Sequence, residues 1–369
     1  MKRTITFLIV LTQFTVFSQG QLTVNNEGGN KKASVSEHIG PVKITINYDR
    51  PGVKGREGKI WNTPVAHYGL VDLGFGTSTA APWRAGANEN TTITFSENVK
   101  IENKDLAAGT YGFHIILGEK EDVLIFSKRN NSWGSFYYDA SEDALRVSVT
   151  HQNVDKSVEW LKYEFINQTE NSATVTLQWE KRLIPFKIEA DVHKLQLDSF
   201  KNELKTKPGF TWQTFVQAAN YCLDNNIETE QALAWANEAI TARFVGQKNF
   251  QTLSTKARIL TKLNREAEAK SIMDEAIPFG NLIELHQYGR TLLNAKKPQD
   301  ALVVFKLNYK KNPNVFTTNV GLGRGYAGIG DFKQATKYMK IAQTQAPDDL
   351  NKNNIENILK KLEKGVAIN

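Results

Sequence analysis

A single cysteine, Cys222, in 369 residues excludes an internal disulfide framework and any cysteine-rich metal site. Six histidines leave little for a histidine-rich metal centre. No Gly-Lys-Ser/Thr is present, which excludes a P-loop, and no Gly-x-Ser-x-Gly elbow marks a hydrolase nucleophile. The only long apolar run ends before residue 20, which excludes a polytopic membrane protein. With 40% hydrophobic and 23% charged residues, the chain is neither disordered nor fibrous. It is long enough for two or three domains with sizeable cores.

Charge is unevenly placed within the net +7. Residues 19–190 carry 19 Lys/Arg against 21 Asp/Glu, whereas residues 191–369 carry 25 against 18. That surplus is too diffuse for a nucleic-acid stripe. It suits an acidic protein or peptide partner, or docking between the two halves. At the amino terminus Met1-Lys2-Arg3 precedes the largely apolar Thr4–Phe17 and then Ser18. This is the layout of a secretory signal peptide cleaved after Ser18. Its apolar stretch is too short to remain as an anchor, and no cysteine near the cleavage point offers a lipoprotein route. The expectation is an exported, periplasmic or extracellular protein without an integral membrane segment, with residues 19–32 as a flexible leader.

Residues 33–190 alternate polar and apolar positions, as in 42–46, 145–149 and 173–179, with further strands expected at 91–95, 110–117, 123–128, 158–166 and 184–189. Turn residues separate them, and no helical period intervenes. Eight or nine such strands predict an antiparallel β-sandwich. After Asp191 the period changes. Leu195, Leu197, Phe200 and Leu204 predict a connecting helix within 191–209, ended by Pro208-Gly209. Beyond it Ala269, Ala301 and Ala335 recur at spacings of 32 and 34, each preceded twelve residues earlier by Ala257, Gly289 or Gly323. Ala232 and Ala239 mark a degenerate earlier unit, and 350–362 a capping helix. This pattern resembles the tetratricopeptide repeat over residues 210–364. The resemblance implies an α-solenoid with a concave binding groove and no chemistry.

The β half carries Tyr48-Asp49-Arg50-Pro51-Gly52-Val53-Lys54-Gly55-Arg56, Trp83-Arg84-Ala85-Gly86-Ala87-Asn88-Glu89, Leu106–Gly112, Trp133-Gly134 and Trp179-Glu180. In these stretches it resembles the domain-of-unknown-function 2911 family of exported bacterial proteins. A departure is residues 70–82, which form a longer approach to the tryptophan than is usual there. The resemblance implies export, often with a trailing helical-repeat region, and no known activity.

Candidate residues follow from chemistry. Arg50, Lys54, Arg56, Trp83, Arg84, Asn88 and Glu89 are loop residues able to bind an anionic or sugar-like ligand by forked hydrogen bonds and stacking. The competing reading has Arg84 paired with Glu89 or Asp49 to fix a loop, and Trp83 filling the core. His67, His114 and His151 could meet Glu89 or Asp72, but they lack metal-ligand spacing, and hydrogen-bonded structural histidines fit better. Gly74-Phe75-Gly76 and Gly321-Leu322-Gly323-Arg324-Gly325 fail as nucleotide motifs; the second reads as close packing in a repeat helix. Cys222 reads as a buried, inert thiol. In the repeats Arg258, Arg290 and Arg324 stand eleven residues before the recurring alanines, which predicts a ladder of guanidinium groups along the groove with Lys262 and His286 nearby. Either an external anion or internal carboxylates would neutralise it. The reading favoured is a non-enzymatic binding or scaffold protein without a cofactor. The alternative is a cell-envelope hydrolase or lyase with its site among Trp83, Arg84, Glu89 and His114.

Overall fold

The structure is a computed structural model that describes residues 29–366 and 368. The expected signal peptide and residues 19–28 of the expected leader lie outside the described residues. The chain divides into one unit ending at Leu195 and another beginning at Gln196.

In the first unit, β1 (Lys31–Ile39), β2 (Val42–Arg50), β3 (Thr91–Phe95), β6 (Gly109–Ile116), β7 (Glu121–Ser127) and β8 (Asp143–Thr150) pair in that spatial order as one antiparallel sheet. A second sheet has the order β5-β4-β10-β9, from β4 (Val99–Ile101), β5 (Lys104–Leu106), β9 (Gln152–Ile166) and β10 (Ser172–Glu189). The alternation places Ile44, Ile46, Ile93, Phe95, Phe113 and Phe126 of the first sheet in one buried cluster with Leu177, Trp179, Phe186 and Ile188 of the second. The Phe113 and Phe186 rings lie 5.6 Å apart, so the two sheets face each other as a β-sandwich.

Three strands have no counterpart in the sequence expectation. β1 begins at Lys31, inside the expected leader, and is an edge strand whose residues are exposed or half-buried up to Ile39. β4 and β5 have three residues each, and the two residues between them, Glu102 (φ 47°) and Asn103 (φ 65°), turn left-handed without a glycine signal. The strands expected at 173–179 and 184–189 are a single strand, β10. Its pairing with β9 shifts around Glu180, which is left-handed at φ 51°. Across this irregularity the inward parity changes from Val175, Leu177 and Trp179 to Arg182, Ile184, Phe186 and Ile188.

The connecting helix is α1 (Val192–Glu203), and its Leu197 and Phe200 join the first helical cluster. Four antiparallel hairpins follow: α2 (Trp212–Asn225) with α3 (Thr229–Thr241), α4 (Phe250–Lys262) with α5 (Glu266–Ala276), α6 (Leu282–Asn294) with α7 (Pro298–Lys311), and α8 (Phe316–Gly328) with α9 (Phe332–Thr344). α10 (Asp349–Glu363) packs on α9 and closes the stack. First helices of successive hairpins meet, α2 with α4 and α6 with α8. This is a helical solenoid of tetratricopeptide type. Its small residues are packing requirements: a Cβ on Gly289 would stand 2.5 Å from the Phe305 ring, and one on Gly323 2.7 Å from Met339. The Gly321–Gly325 run lies inside α8, where added Cβ atoms at Gly321 and Gly325 would also press on Phe305. Seven residues after Ala301, where Ala276 and Ala342 follow Ala269 and Ala335, α7 has the buried Asn308, whose Nδ2 donates to the Leu282 carbonyl at 2.9 Å.

Candidate functional site

Between β2 and β3 the chain makes a long excursion, residues 51–90, tied back by bridges from Tyr68 to Leu117 and from Trp83 to Ile115. This excursion and β10 enclose a cavity of about 290 Å³ whose lining includes Arg56, His67, Trp83, Arg84, Asn88 and Trp179. One wall is an aromatic stack. The Trp83 and Trp179 rings are nearly parallel at 6.2 Å, and Trp61 meets each edge-on at 5.7 Å. The bulge explains how Trp61 is held. It turns Glu180 so that its carboxylate accepts from Trp61 Nε1 and from the Gly58 amide, each at 2.9 Å. Trp83, 3% exposed, therefore fills the core end as the competing reading required.

Arg84 does not follow that reading. Its Nη1 donates to the Asn88 carbonyl at 2.9 Å, and its guanidinium lies 4.9 Å from the centre of the Phe136 ring. Neither Glu89 nor Asp49 pairs with it. Both lie against Lys32, at 2.6 and 3.8 Å, because Arg84 points back under the loop that carries Trp133-Gly134. Gly134 (φ 58°) is required there, since a Cβ would come within 2.3 Å of the guanidinium carbon. Among the described residues no carboxylate forms an ion pair with Arg84, and burial pulls its pKa below the usual arginine value.

The other expected ligand residues separate. Arg56 lines the cavity while donating to the Val53 and Gly52 carbonyls at 3.0 and 2.7 Å. Asn88 lines it too, and its Oδ1 accepts from Asn30. Arg50 instead ties β2 to β9 through the Leu161 carbonyl at 2.8 Å, and Lys54 donates to the Gly29 carbonyl. His114 is 2% exposed, hydrogen-bonded through Nδ1 to Ser135 Oγ at 2.9 Å, and packed against Tyr138. Burial, reinforced by the Arg84 charge, pushes its pKa down to about 3. Glu89 and His114, which the hydrolase or lyase reading needs together, thus contact different groups and neither lines the cavity. His67 does line it. Its Nδ1 is buried without a hydrogen-bond partner, and burial lowers its pKa, with Arg84 adding to the effect.

Sequence reasoning missed a buried ionic group. Arg182 on β10 donates to Tyr68, to the Gly118 carbonyl, to Asp122 on β7 and to His151. The Asp122 side chain is fully buried and that of Arg182 is 3% exposed. No local spacing could reveal it, because its members come from strands of different sheets and only the β10 bulge turns Arg182 inward. Among the described residues, no group of three or more His, Cys, Asp or Glu is placed to hold a metal ion.

In the helical unit the expected ladder divides. Arg258 is answered internally, donating to Asn220 at 3.1 Å and lying 3.6 Å from Asp224, both on α2. Lys262 ends α4, exposed. His286 and Arg290 on α6 and Arg324 on α8 come together. The His286 pKa is pushed down to about 4 by burial and then by both guanidinium groups. Arg324 is partly buried and donates to the Ile368 carbonyl at 3.4 Å; Arg290 is exposed and has no ion-pair partner among the described residues. Cys222 is buried, which pushes its thiol pKa up to about 11 and keeps it protonated. No helix among the described residues is long and apolar enough to cross a membrane.

No curated protein matches the chain. Among solved structures it is similar to YrrB, described as a TPR protein with an unusual peptide-binding site, at 17% identity over 46% of this chain and 86% of that one (TM-score 0.31). It is also similar to a crystal form of MamA AMB-1 at 16% identity over 42% of this chain and 85% of that one (TM-score 0.27). A MamA MSR-1 structure aligns at 14% identity over 42% and 95% (TM-score 0.27). Residues 30–188, which build the sandwich and its cavity, match the family described as "Protein of unknown function (DUF2911)".

Proposed function

We propose that this chain is an exported, non-enzymatic binding protein that carries a β-sandwich recognition unit and whose helical hairpins capture an acidic peptide or protein segment. The observation that carries the reading is the meeting of His286, Arg290 and Arg324 on the adjoining helices α6 and α8. After burial, the two guanidinium groups lower the His286 pKa and Arg290 lowers that of Arg324, and two like charges this close favour an anion at that place. Arg290, exposed and without a described carboxylate beside it, is the group best placed to meet one. Each guanidinium–carboxylate contact contributes about 1.5–3 kcal/mol when sheltered, and less in solvent. Export rests on the basic start and apolar core of residues 1–18.

The test is fluorescence anisotropy of a labelled Asp/Glu-rich peptide against the full chain. Binding should weaken with salt and fall at least about tenfold in the variant Arg290→Ala/Arg324→Ala, which should keep its helical circular dichroism. Equal binding of an uncharged peptide, or unchanged affinity in the variant, would sink the groove reading. Intact mass of protein recovered from the native host tests export: loss of about the first 18 residues supports it, and full-length protein retained in the cytoplasm refutes it.

A further inference from the structure

The cavity of the β unit has a charge without a counter-charge. Among the described residues its lining contains two guanidinium groups, Arg56 and Arg84, and no Asp or Glu. Arg56 already directs Nε and Nη2 to backbone carbonyls. Arg84 has one donor on the Asn88 carbonyl and its face on Phe136, which fixes the fork and leaves its remaining N–H groups unassigned. Leaving a partly desolvated cation this way is costly unless a ligand completes it. The loop across it supports that reading: Gly134 is shaped to admit this side chain, when a smaller residue in place of Arg84 would have needed no such accommodation. The rest of the lining mixes the polar Asn30, His67 and Asn88 with the apolar Val65, Leu73, Trp83, Trp179 and three proline rings.

We infer that this cavity binds a small organic monoanion whose carboxylate is forked by Arg84 and whose apolar body lies against Trp83 and its neighbours. A planar carboxylate matches the two-pronged guanidinium face. His67 stays neutral beside Arg84 and supplies a hydrogen bond rather than a second charge. The volume of about 290 Å³ is at the small end for ligand cavities and suits a compact acid rather than a polymer. The site belongs to the β unit and does not depend on the repeat groove.

Sodium benzoate and sodium hexanoate serve as probes with the full chain, followed by tryptophan fluorescence and titration calorimetry. Benzamide, hexanamide and inorganic phosphate are the comparison arms. Both acids should bind saturably and each should exceed its amide by roughly tenfold or more, the range of a lost charged contact. Arg84→Gln should abolish that preference for the acid, Arg84→Lys should retain a reduced part of it, and Arg290→Ala/Arg324→Ala should leave it intact. Without ligand, Arg84→Gln should melt no lower than the parent, since it removes an unpaired charge; a merely structural Arg84 would make it melt lower. Amides binding as well as acids overturn the proposal, as does unchanged acid binding in both Arg84 variants. Phosphate binding in preference to the acids overturns the assigned ligand class. Should Arg84→Gln fail to fold, the acid-to-amide ratio of the parent and of Arg84→Lys still decides.

Discussion

Mild acid should destabilise the β unit through His114. Its imidazole is buried, has one hydrogen bond, to Ser135, and lies near the like charge of Arg84, so its folded pKa is about 3. In the unfolded chain a histidine titrates near 6.5. Above that pH both states hold a neutral imidazole and stability is at its full value. Between about 6.5 and 3 the unfolded state binds a proton that the folded state refuses, so stability falls by about 1.4 kcal/mol per pH unit. At pH 4.5 the loss from this residue is about 2.7 kcal/mol, a large part of an ordinary domain's stability. His151 and His67 are also shifted downward, the first chiefly by burial and Arg182, and act in the same direction. Urea unfolding at pH 7 and pH 4.5, followed by the fluorescence of the packed Trp61, Trp83 and Trp179, measures the effect. His114→Gln can still bond Ser135 but cannot titrate, so its pH dependence should be shallower by about one proton. A His114 imidazole titrating near 6.5 by NMR in the folded protein would refute the reasoning, as would parent and variant with the same slope.

Other substitutions test the packing directly. Asp122→Ala leaves Arg182 buried without its carboxylate and should cost about 3–5 kcal/mol, whereas Asp122→Leu combined with Arg182→Met should recover most of that in a double-mutant cycle. Gly289→Ala forces a methyl group onto the buried Phe305 ring and should destabilise the helical unit by about 1–3 kcal/mol in thermal melts. Gly323→Ala meets the flexible end of Met339 instead, so its cost should be smaller, offset in part by the better helix propensity of alanine.

How much was legible follows from where each signal resides. The alternation of residues 42–46, 91–95 and 173–179 survives in a single chain because one face of each strand must be apolar. The recurring alanines and glycines survive because each hairpin repeats the same close approach, at Gly289 on Phe305 and Gly323 on Met339. β1 escaped because an edge strand needs few apolar residues, and β4 and β5 because three residues carry no period. Of the expected ligand loop, Arg56, Trp83, Arg84 and Asn88 converge on the cavity; Arg50, Lys54 and Glu89 take structural partners elsewhere. Of the arginines expected to form a ladder, Arg290 and Arg324 lie near His286, whereas α2 presents Asn220 and Asp224 to Arg258.

By itself, then, the amino-acid order determined a β-sandwich followed by helical hairpins, because both depend on periodic burial written locally along the chain. It also determined which residue types could hold an anion. Pairing was decided only in three dimensions. Whether Arg84 meets Glu89, Asp49 or no acid depends on the Lys32 strand, on Gly134 and on the direction of a loop, all distant in sequence. The Arg182–Asp122–His151 group depends on one bulge that reverses the parity of β10 and joins strands of two sheets. Charges act through space and burial, and neither is a property of any short stretch of residues.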